Sequence, residues 1–214
     1  MFRRRRREHS EGPAASAKAP AEPMRESGPW DSDEPHPEHD RVDLGGLLLP
    51  HNPDFDVRLA SVGDQHIGVV VIHDDSTLQL QALAAPRSMG LWDEVRTKIT
   101  QQVPSLEERE GPFGAELRGE ITADGQTRQA RYLGIDGPRW FLLAVVHGPA
   151  AADEAVAAPF LDFLRDVVVV RGTEPMAREE PIALRRPNEH GGGPDEDRTG
   201  LNPFRRGPEI SEIR

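Results

Sequence analysis

Arg3, Arg4, Arg5, Arg6 and Arg7 place five guanidiniums in a row near the start of the chain. Such a run grips phosphate-rich polymers or anionic lipid by displacing counterions, so the contact weakens steeply with salt. A single basic cluster without an acyl group is a marginal membrane anchor, and the plain alternative is a solvated terminus. His36-Pro37-Glu38-His39-Asp40 gathers two imidazoles and carboxylates within five residues. That donor set would hold Zn²⁺ or Ni²⁺ weakly, and its prolines oppose a closed site. His66, His73 and His147 stand at the ends of apolar runs, a common place for solvent-edge or satisfied core histidines. Asp74-Asp75 reads as a turn, in which aspartates satisfy backbone amides more often than they share a proton.

The chain contains no Gly-x-Ser-x-Gly elbow, no glycine-rich phosphate loop ending in Lys-Ser/Thr, no His-Glu-x-x-His and no Gly-x-Gly-x-x-Gly. It also lacks cysteine, which excludes disulfides, thiolate nucleophiles and thiolate metal sites. The sequence therefore assigns no catalytic residue, no metal ligand and no cofactor. Apolar residues stranded in polar surroundings are the better pointers to a partner. Trp30, between Gly28-Pro29 and Asp31 in an acidic linker, either folds back onto the domain or serves as a recognition element. Phe204, Arg206 and Ile210 pose the same choice in a docking segment over 202–214.

Only the middle of the chain carries enough large apolar residues to build a core. Hydrophobic residues make up 36% of 214, and Gly and Pro number 20 each. Both ends are dominated by Pro, Gly, Ala and charge, too little apolar surface to offset chain entropy. The reading is therefore one domain over 42–172, between a disordered Arg-rich and acidic tail at 1–41 and a mostly disordered tail at 173–214. Between 43 and 172 nineteen acidic residues face eleven basic ones, which argues against a nucleic-acid-binding domain.

Within that span Phe55, Val57 and Leu59 alternate with polar residues, Ile67 to Ile72 is a β-branched run, and Leu78, Leu80 and Ala82 alternate strictly. These predict a three-stranded meander turning at Gly63-Asp64 and Asp74-Asp75. Ser88 caps an expected helix whose stripe is Leu91, Val95, Ile99 and Val103, with Trp92 beside it. Three strands follow, 113–121, 127–135 and 139–147, with turns at Asp124-Gly125 and Asp136-Gly137. Trp140 to Val146 is apolar throughout, as in a strand covered on both faces. The second cover is a helix over 156–166 with Pro159 in its first turn, before a last short strand at Val167 to Val170. The fold class is α+β: an antiparallel sheet of about six or seven strands covered by two helices.

Gly28-Pro29-Trp30-Asp31, Arg41-Val42-Asp43-Leu44-Gly45-Gly46, Leu78-Gln79-Leu80-Gln81-Ala82, Gly137-Pro138-Arg139-Trp140-Phe141-Leu142, Val168-Val169-Val170-Arg171-Gly172 and Arg206-Gly207-Pro208-Glu209-Ile210 together resemble an actinobacterial family known only as a domain of unknown function. That resemblance implies lineage and a cytoplasmic setting without a mechanism. The hairpin from Gly114 to Val146 and its closing helix resemble the Mog1/PsbP-like fold of a Ran-binding factor, photosystem II subunits and mycobacterial lipoproteins. No functional residue carries over from it, and its members imply binding by analogy alone.

The expectation is a cytoplasmic, non-enzymatic binding or adaptor module that docks a protein partner through its tails. Two alternatives stand beside it: a small-molecule-binding domain or degenerate enzyme with a cleft between sheet and helix, and an RNA-associated or membrane-surface factor acting through Arg3 to Arg7. No apolar leader core follows the arginines, and no run approaches the ~18 apolar residues of a membrane span. If the arginines grip phosphate, binding of total RNA or acidic vesicles should be weak at low salt, vanish near physiological ionic strength, and disappear when residues 1–8 are deleted. Filter binding and vesicle sedimentation across a salt series check this; salt-insensitive binding by the deleted chain contradicts it.

Overall fold

Alternation of apolar and polar residues decides most of the strands, and turn chemistry decides where they end. The structure, a computed structural model, describes residues 27–87, 90–123 and 125–187. Among these the chain runs through β1 (Trp30–Asp31), β2 (Arg41–Asp43), β3 (Leu47–Pro50), β4 (Asp56–Val62), β5 (Gln65–His73), β6 (Ser76–Ala84), α1 (Leu91–Gln102), β7 (Leu106–Gly111), β8 (Gly114–Ala123), β9 (Gln126–Gly137), β10 (Trp140–His147), α2 (Glu154–Arg165) and β11 (Val168–Val169). Seven strands form an antiparallel sheet in the order β4-β5-β6-β10-β9-β8-β7. The other four form a small second sheet, β1-β11-β3-β2, in which β1 and β11 run parallel. The fold is α+β, as the sequence predicts, with the second sheet as an addition.

Strand β10 lies between β6 and β9, and its side chains alternate between two cores. Phe141 and Leu143 meet Leu91, Trp92 and Leu117 under α1, whereas Trp140, Leu142, Ala144 and Val146 meet Phe160, Phe163 and Leu164 of α2. The small sheet packs beside α2 through Leu47 and Leu49. Trp92 stacks on Phe141 with 6.1 Å between ring centroids. Gly134 makes room for it, since a Cβ there would stand 2.2 Å from the Trp92 ring. Helix α1 has no side-chain cap of its own; Asp136 on β9 accepts from the Leu91 and Trp92 amides at 3.1 and 3.3 Å. Helix α2 is capped locally by Asp153, which accepts from the Ala155 and Val156 amides.

The ordered frame is wider than 42–172. Trp30 is 3% exposed, and the Trp140 indole N–H donates to the buried Asp31 carboxylate at 2.6 Å. The segment read as a disordered linker therefore folds back from residue 27 onward. At the other end, β5 pairs with β6 only from Val69. Gly68 marks the parting, where a Cβ would meet the Leu80 carbonyl oxygen at 2.7 Å. Residues 179–184 fill the resulting fork: the Glu179 and Ile182 amides donate to the Ala84 and Ala82 carbonyls at 2.8 and 2.9 Å, and Leu184 donates to His66 at 2.8 Å. Ile182 and Leu184 are buried there. Trp30, Ile182 and Leu184 have no local period, so only long-range partners order them. Residues 1–26 and 188–214 lie outside the described residues. With them lie the basic run of Arg3, Arg4, Arg5, Arg6 and Arg7 and the docking candidates Phe204, Arg206 and Ile210.

Smaller corrections share a cause: tertiary partners override local signals. β7 is a strand that the sequence reading leaves out, because Glu107, Glu108, Arg109 and Glu110 show no apolar alternation. It is an outer strand, where charge guards a free edge. Asp136-Gly137 remains in β9, and the chain turns at Pro138-Arg139, with Arg139 at φ 70° as a type II turn requires. Pro159 sits inside α2 rather than in its first turn, because Asp153 starts the helix at Glu154. Ser88 lies outside the described residues, and Asp136 caps α1 instead.

Trp140→Ala removes the largest fully buried side chain among the described residues and leaves Asp31 Oδ2 without the indole donor. The expected cost is about 3–5 kcal/mol by chemical denaturation. Native trypsin digestion gives a second readout. Arg41, whose side chain is 6% exposed against Asp166, should resist cleavage in the unaltered chain and be cut in the variant.

Candidate functional site

Two neighbourhoods concentrate chemistry, and they differ in kind. Glu116 and Arg118 are two apart on β8 and share a face, and Arg131 on β9 stands in register with Arg118. Two guanidiniums placed opposite each other repel. Two carboxylates resolve this. Glu116 accepts from Arg118 and from Arg131 at 2.9 and 3.1 Å, while Glu154, in the first turn of α2, accepts from Arg118 and from Arg131 at 3.1 Å. The Arg131 and Glu116 side chains are 0% and 1% exposed. The Arg118 hydrogen bond holds the Glu154 carboxyl below its ordinary range. This neutral ring of two cations and two anions fastens the start of α2 to β8 and β9.

Beside the ring lies a cavity of about 410 Å³ lined by Arg109, Arg118, Glu107, Glu120 and Gln129. Both of its arginines are already paired, Arg109 with Glu107 at 3.0 Å and Arg118 within the ring, so their charge is spent internally. His147 is buried at the end of β10, and its Nδ1 has no hydrogen-bond partner. Burial, with the charge of Arg128 adding to it, holds the imidazole below its ordinary pKa.

The second neighbourhood is apolar. β2 and β4 are outer strands of their respective sheets. Between them lies a groove of about 420 Å³ walled by Leu44, Leu49, Phe55, Val57 and Leu59, with His51 and Asn52 as its polar members and Pro187 on one side. Phe55 is held from behind by Phe160 and Phe163, with ring centroids 5.4 and 5.3 Å away. Val57 remains 40% exposed and Val62 67%, so β4 offers apolar side chains along a strand edge unpaired among the described residues, in contrast to the charged edge of β7. The Pro50–Pro53 loop divides this groove from a second concavity of about 560 Å³ over Ala155, Ala158 and Pro159 of α2.

The residues singled out in the sequence are scattered. Trp30 is core. His36 and His39 face different partners, the Pro37 carbonyl at 3.2 Å and the Asp166 carboxylate at 2.9 Å. No three His, Asp or Glu among the described residues are placed to hold a metal. His66 meets Ser61 Oγ at 2.6 Å across the β4–β5 hairpin, with no carboxylate bonded to the imidazole among the described residues. Asp74 takes the left-handed conformation of a turn. Arg3, Arg4, Arg5, Arg6 and Arg7 are not among the described residues, so the structure brings none of them to either neighbourhood. The charge ring was missed although Glu116 and Arg118 carry the two-residue spacing that puts them on one face. The groove has no local signal, because it joins residues 42–59 to residue 187.

These features define a class: an α+β sheet protein with a helix on each face and an apolar groove where its two sheets meet. Within that class, the chain belongs to the family described as Protein of unknown function (DUF3710), which it matches over residues 28–191, close to the described span of 27–187. No curated protein matches it significantly. Similar solved structures include a Bacteroides thetaiotaomicron protein at 10% identity and TM-score 0.42, with 65% of this chain aligned. The alignment spans only 52% of that protein's length. Cyanobacterial PsbP from Synechocystis is similar at 13% identity and TM-score 0.38, with 61% of this chain and 91% of that one covered. LpqN of Mycobacterium tuberculosis, described as involved in cell envelope biogenesis, is similar at 12% identity and TM-score 0.31, covering 58% and 83%. Likeness at this level concerns architecture alone. No helix among the described residues is long and apolar enough to cross a membrane.

The lowered pKa of His147 makes a prediction about acid. The unfolded imidazole takes up its proton near pH 6.5, above the folded one, so the buried neutral ring contributes stability above that pH. That contribution is lost as pH falls toward the folded value. The melting temperature should drop between about pH 7.5 and pH 5, and His147→Gln should flatten that drop. Equal pH slopes in the two chains contradict the assignment.

Proposed function

We propose that this chain is a non-enzymatic binding protein whose groove between β2 and β4 takes an extended polypeptide segment of a partner. The observation that carries this reading is an apolar concavity lying against a strand edge that pairs with no other strand among the described residues. An extended peptide uses both, pairing its backbone with the free edge and placing alternate side chains in the hollow. Affinity then comes from one or two large apolar anchors set against Phe55 and Leu59. The partner is a cytoplasmic protein in this reading, and the Arg3 to Arg7 run adds at most a weak, salt-sensitive contact with RNA or anionic lipid.

The volume of the groove favours a second reading. About 420 Å³ lies within the ~300–1,000 Å³ typical of small-molecule sites. An apolar ligand of modest size would occupy the same wall. Selection from a random peptide library separates the two. Bound peptides should share a large apolar residue, and Val57→Asp should weaken them at least tenfold, about 1.4 kcal/mol, with an unchanged melting temperature. Failure to select any peptide, together with saturable uptake of an apolar dye that Val57→Asp abolishes, would favour the small molecule.

A further inference from the structure

Resting on the groove reading, we infer that the polypeptide taken up along β4 is the same strand of a second copy of this chain, antiparallel across a two-fold axis at Val57. Among the described residues β4 pairs with β5 alone, and its ladder stays regular from Asp56 to Ala60, where a bulge shifts the register. Phe55, Val57 and Leu59 line the groove, so alternation puts Asp56 and Arg58 on the opposite face of the sheet. A two-fold axis normal to the sheet keeps every side chain on its own face. The axis must therefore pass through a residue, not between two.

Few registers are then open, and charge chooses among them. With Asp56 or Arg58 on the axis, that residue faces its own like charge, which destabilises a strand pair. Leu59 on the axis sets Asp56 opposite Val62 and carries the pairing across the bulge. Val57 on the axis does neither. It sets Asp56 of each copy opposite Arg58 of the other, Val57 against Val57, and Leu59 against Phe55. Within one chain the Arg58 guanidinium already donates to Asp56 Oδ2 at 2.9 and 2.5 Å, and both side chains are more than half exposed. Pairing joins two such bridges into one neutral ring of two cations and two anions.

The other outer strands do not offer this. On β7, any axis through Glu107, Glu108, Arg109 or Glu110 sets like charges face to face. β2 carries a matching order in Arg41-Val42-Asp43, but Arg41 is held by Asp166 and Asp43 by Arg185. Exposed ion pairs fix register more than affinity. Affinity comes from main-chain bonds along the β4 edge and from the second copy's apolar side chains beside the groove. An edge this short buries less than the ~1,600 Å² of a standard interface, so the association is weak and reversible.

The test uses full-length protein. Sedimentation equilibrium over roughly 1–300 μM, where small interfaces associate, should show a monomer–dimer equilibrium. Asp56→Arg and Arg58→Asp, each alone, should weaken it at least tenfold, and both together in one chain should restore it, with melting temperatures unchanged. The chain has no cysteine, so Val57→Cys introduces a single thiol per copy. An axis at that residue brings the two Cα atoms to about 4.5–5.5 Å, within reach of a disulfide. Oxidation should cross-link this variant at least tenfold faster than Val62→Cys, whose thiols stand roughly 30 Å apart in this register. A dimer indifferent to the single charge reversals, or cross-linked equally at both positions, overturns the β4 pairing. A monomer at every concentration, with library peptides still bound through Val57, overturns the second copy as occupant and leaves the groove reading standing. Neither dimer nor bound peptide overturns both.

Discussion

The indole of Trp140 is buried in the middle of the fold, and its N–H must find an acceptor there. It finds Asp31, which belongs to the opposite end of the chain. That one bond explains why a two-residue strand persists at Trp30–Asp31, because Asp31 can stay within reach only if its backbone is held. Parallel pairing with Val168–Val169 holds it, and Val168–Val169 in turn pairs with β3. The small sheet is thus the scaffold that brings a carboxylate to an otherwise unsatisfied donor. The groove exists because that scaffold ends, at β2, beside β4, the outer strand of the larger sheet.

The charge ring solves a related problem with different chemistry. A guanidinium as buried as Arg131 is costly unless charge and hydrogen bonds are both matched. Glu116 alone could match its charge, but Arg118 lies opposite and would leave the pair in excess of cations. Glu154 completes neutrality from outside the sheet. Helix α2 is therefore located by electrostatics at its start and by Phe160, Phe163 and Leu164 along its length. Phe55 leans on that same helix, so the wall of the apolar groove inherits its position from the ring.

The sequence makes some of this legible. The apolar run from Trp140 to Val146 correctly implies two covers, and the strict alternation of Leu78, Leu80 and Ala82 correctly gives a strand with two faces. Both signals are local, carried by spacing along one segment. Trp30, Ile182 and Leu184 carry no spacing, and their order comes from residues about a hundred positions away. Asp136 reads as a turn residue by type, yet it serves as the cap of α1 because β9 runs on beneath the helix start. Arg131 reads as surface by type, and only the register of β8 against β9 shows that it is enclosed. The groove is the least legible feature, since its walls come from two sheet edges and a residue near 187.

The forked sheet also sets an order on synthesis. Ala82 and Ala84 leave the ribosome roughly a hundred residues before Glu179 to Ile182, the backbone that completes them. Asp31 waits even longer for Trp140. During that interval the vacated half of β6 presents unpaired amides and carbonyls, a strand edge open to any neighbouring nascent chain. The protein is thus most vulnerable to mispairing late in translation, and it is the 179–184 segment that removes the hazard.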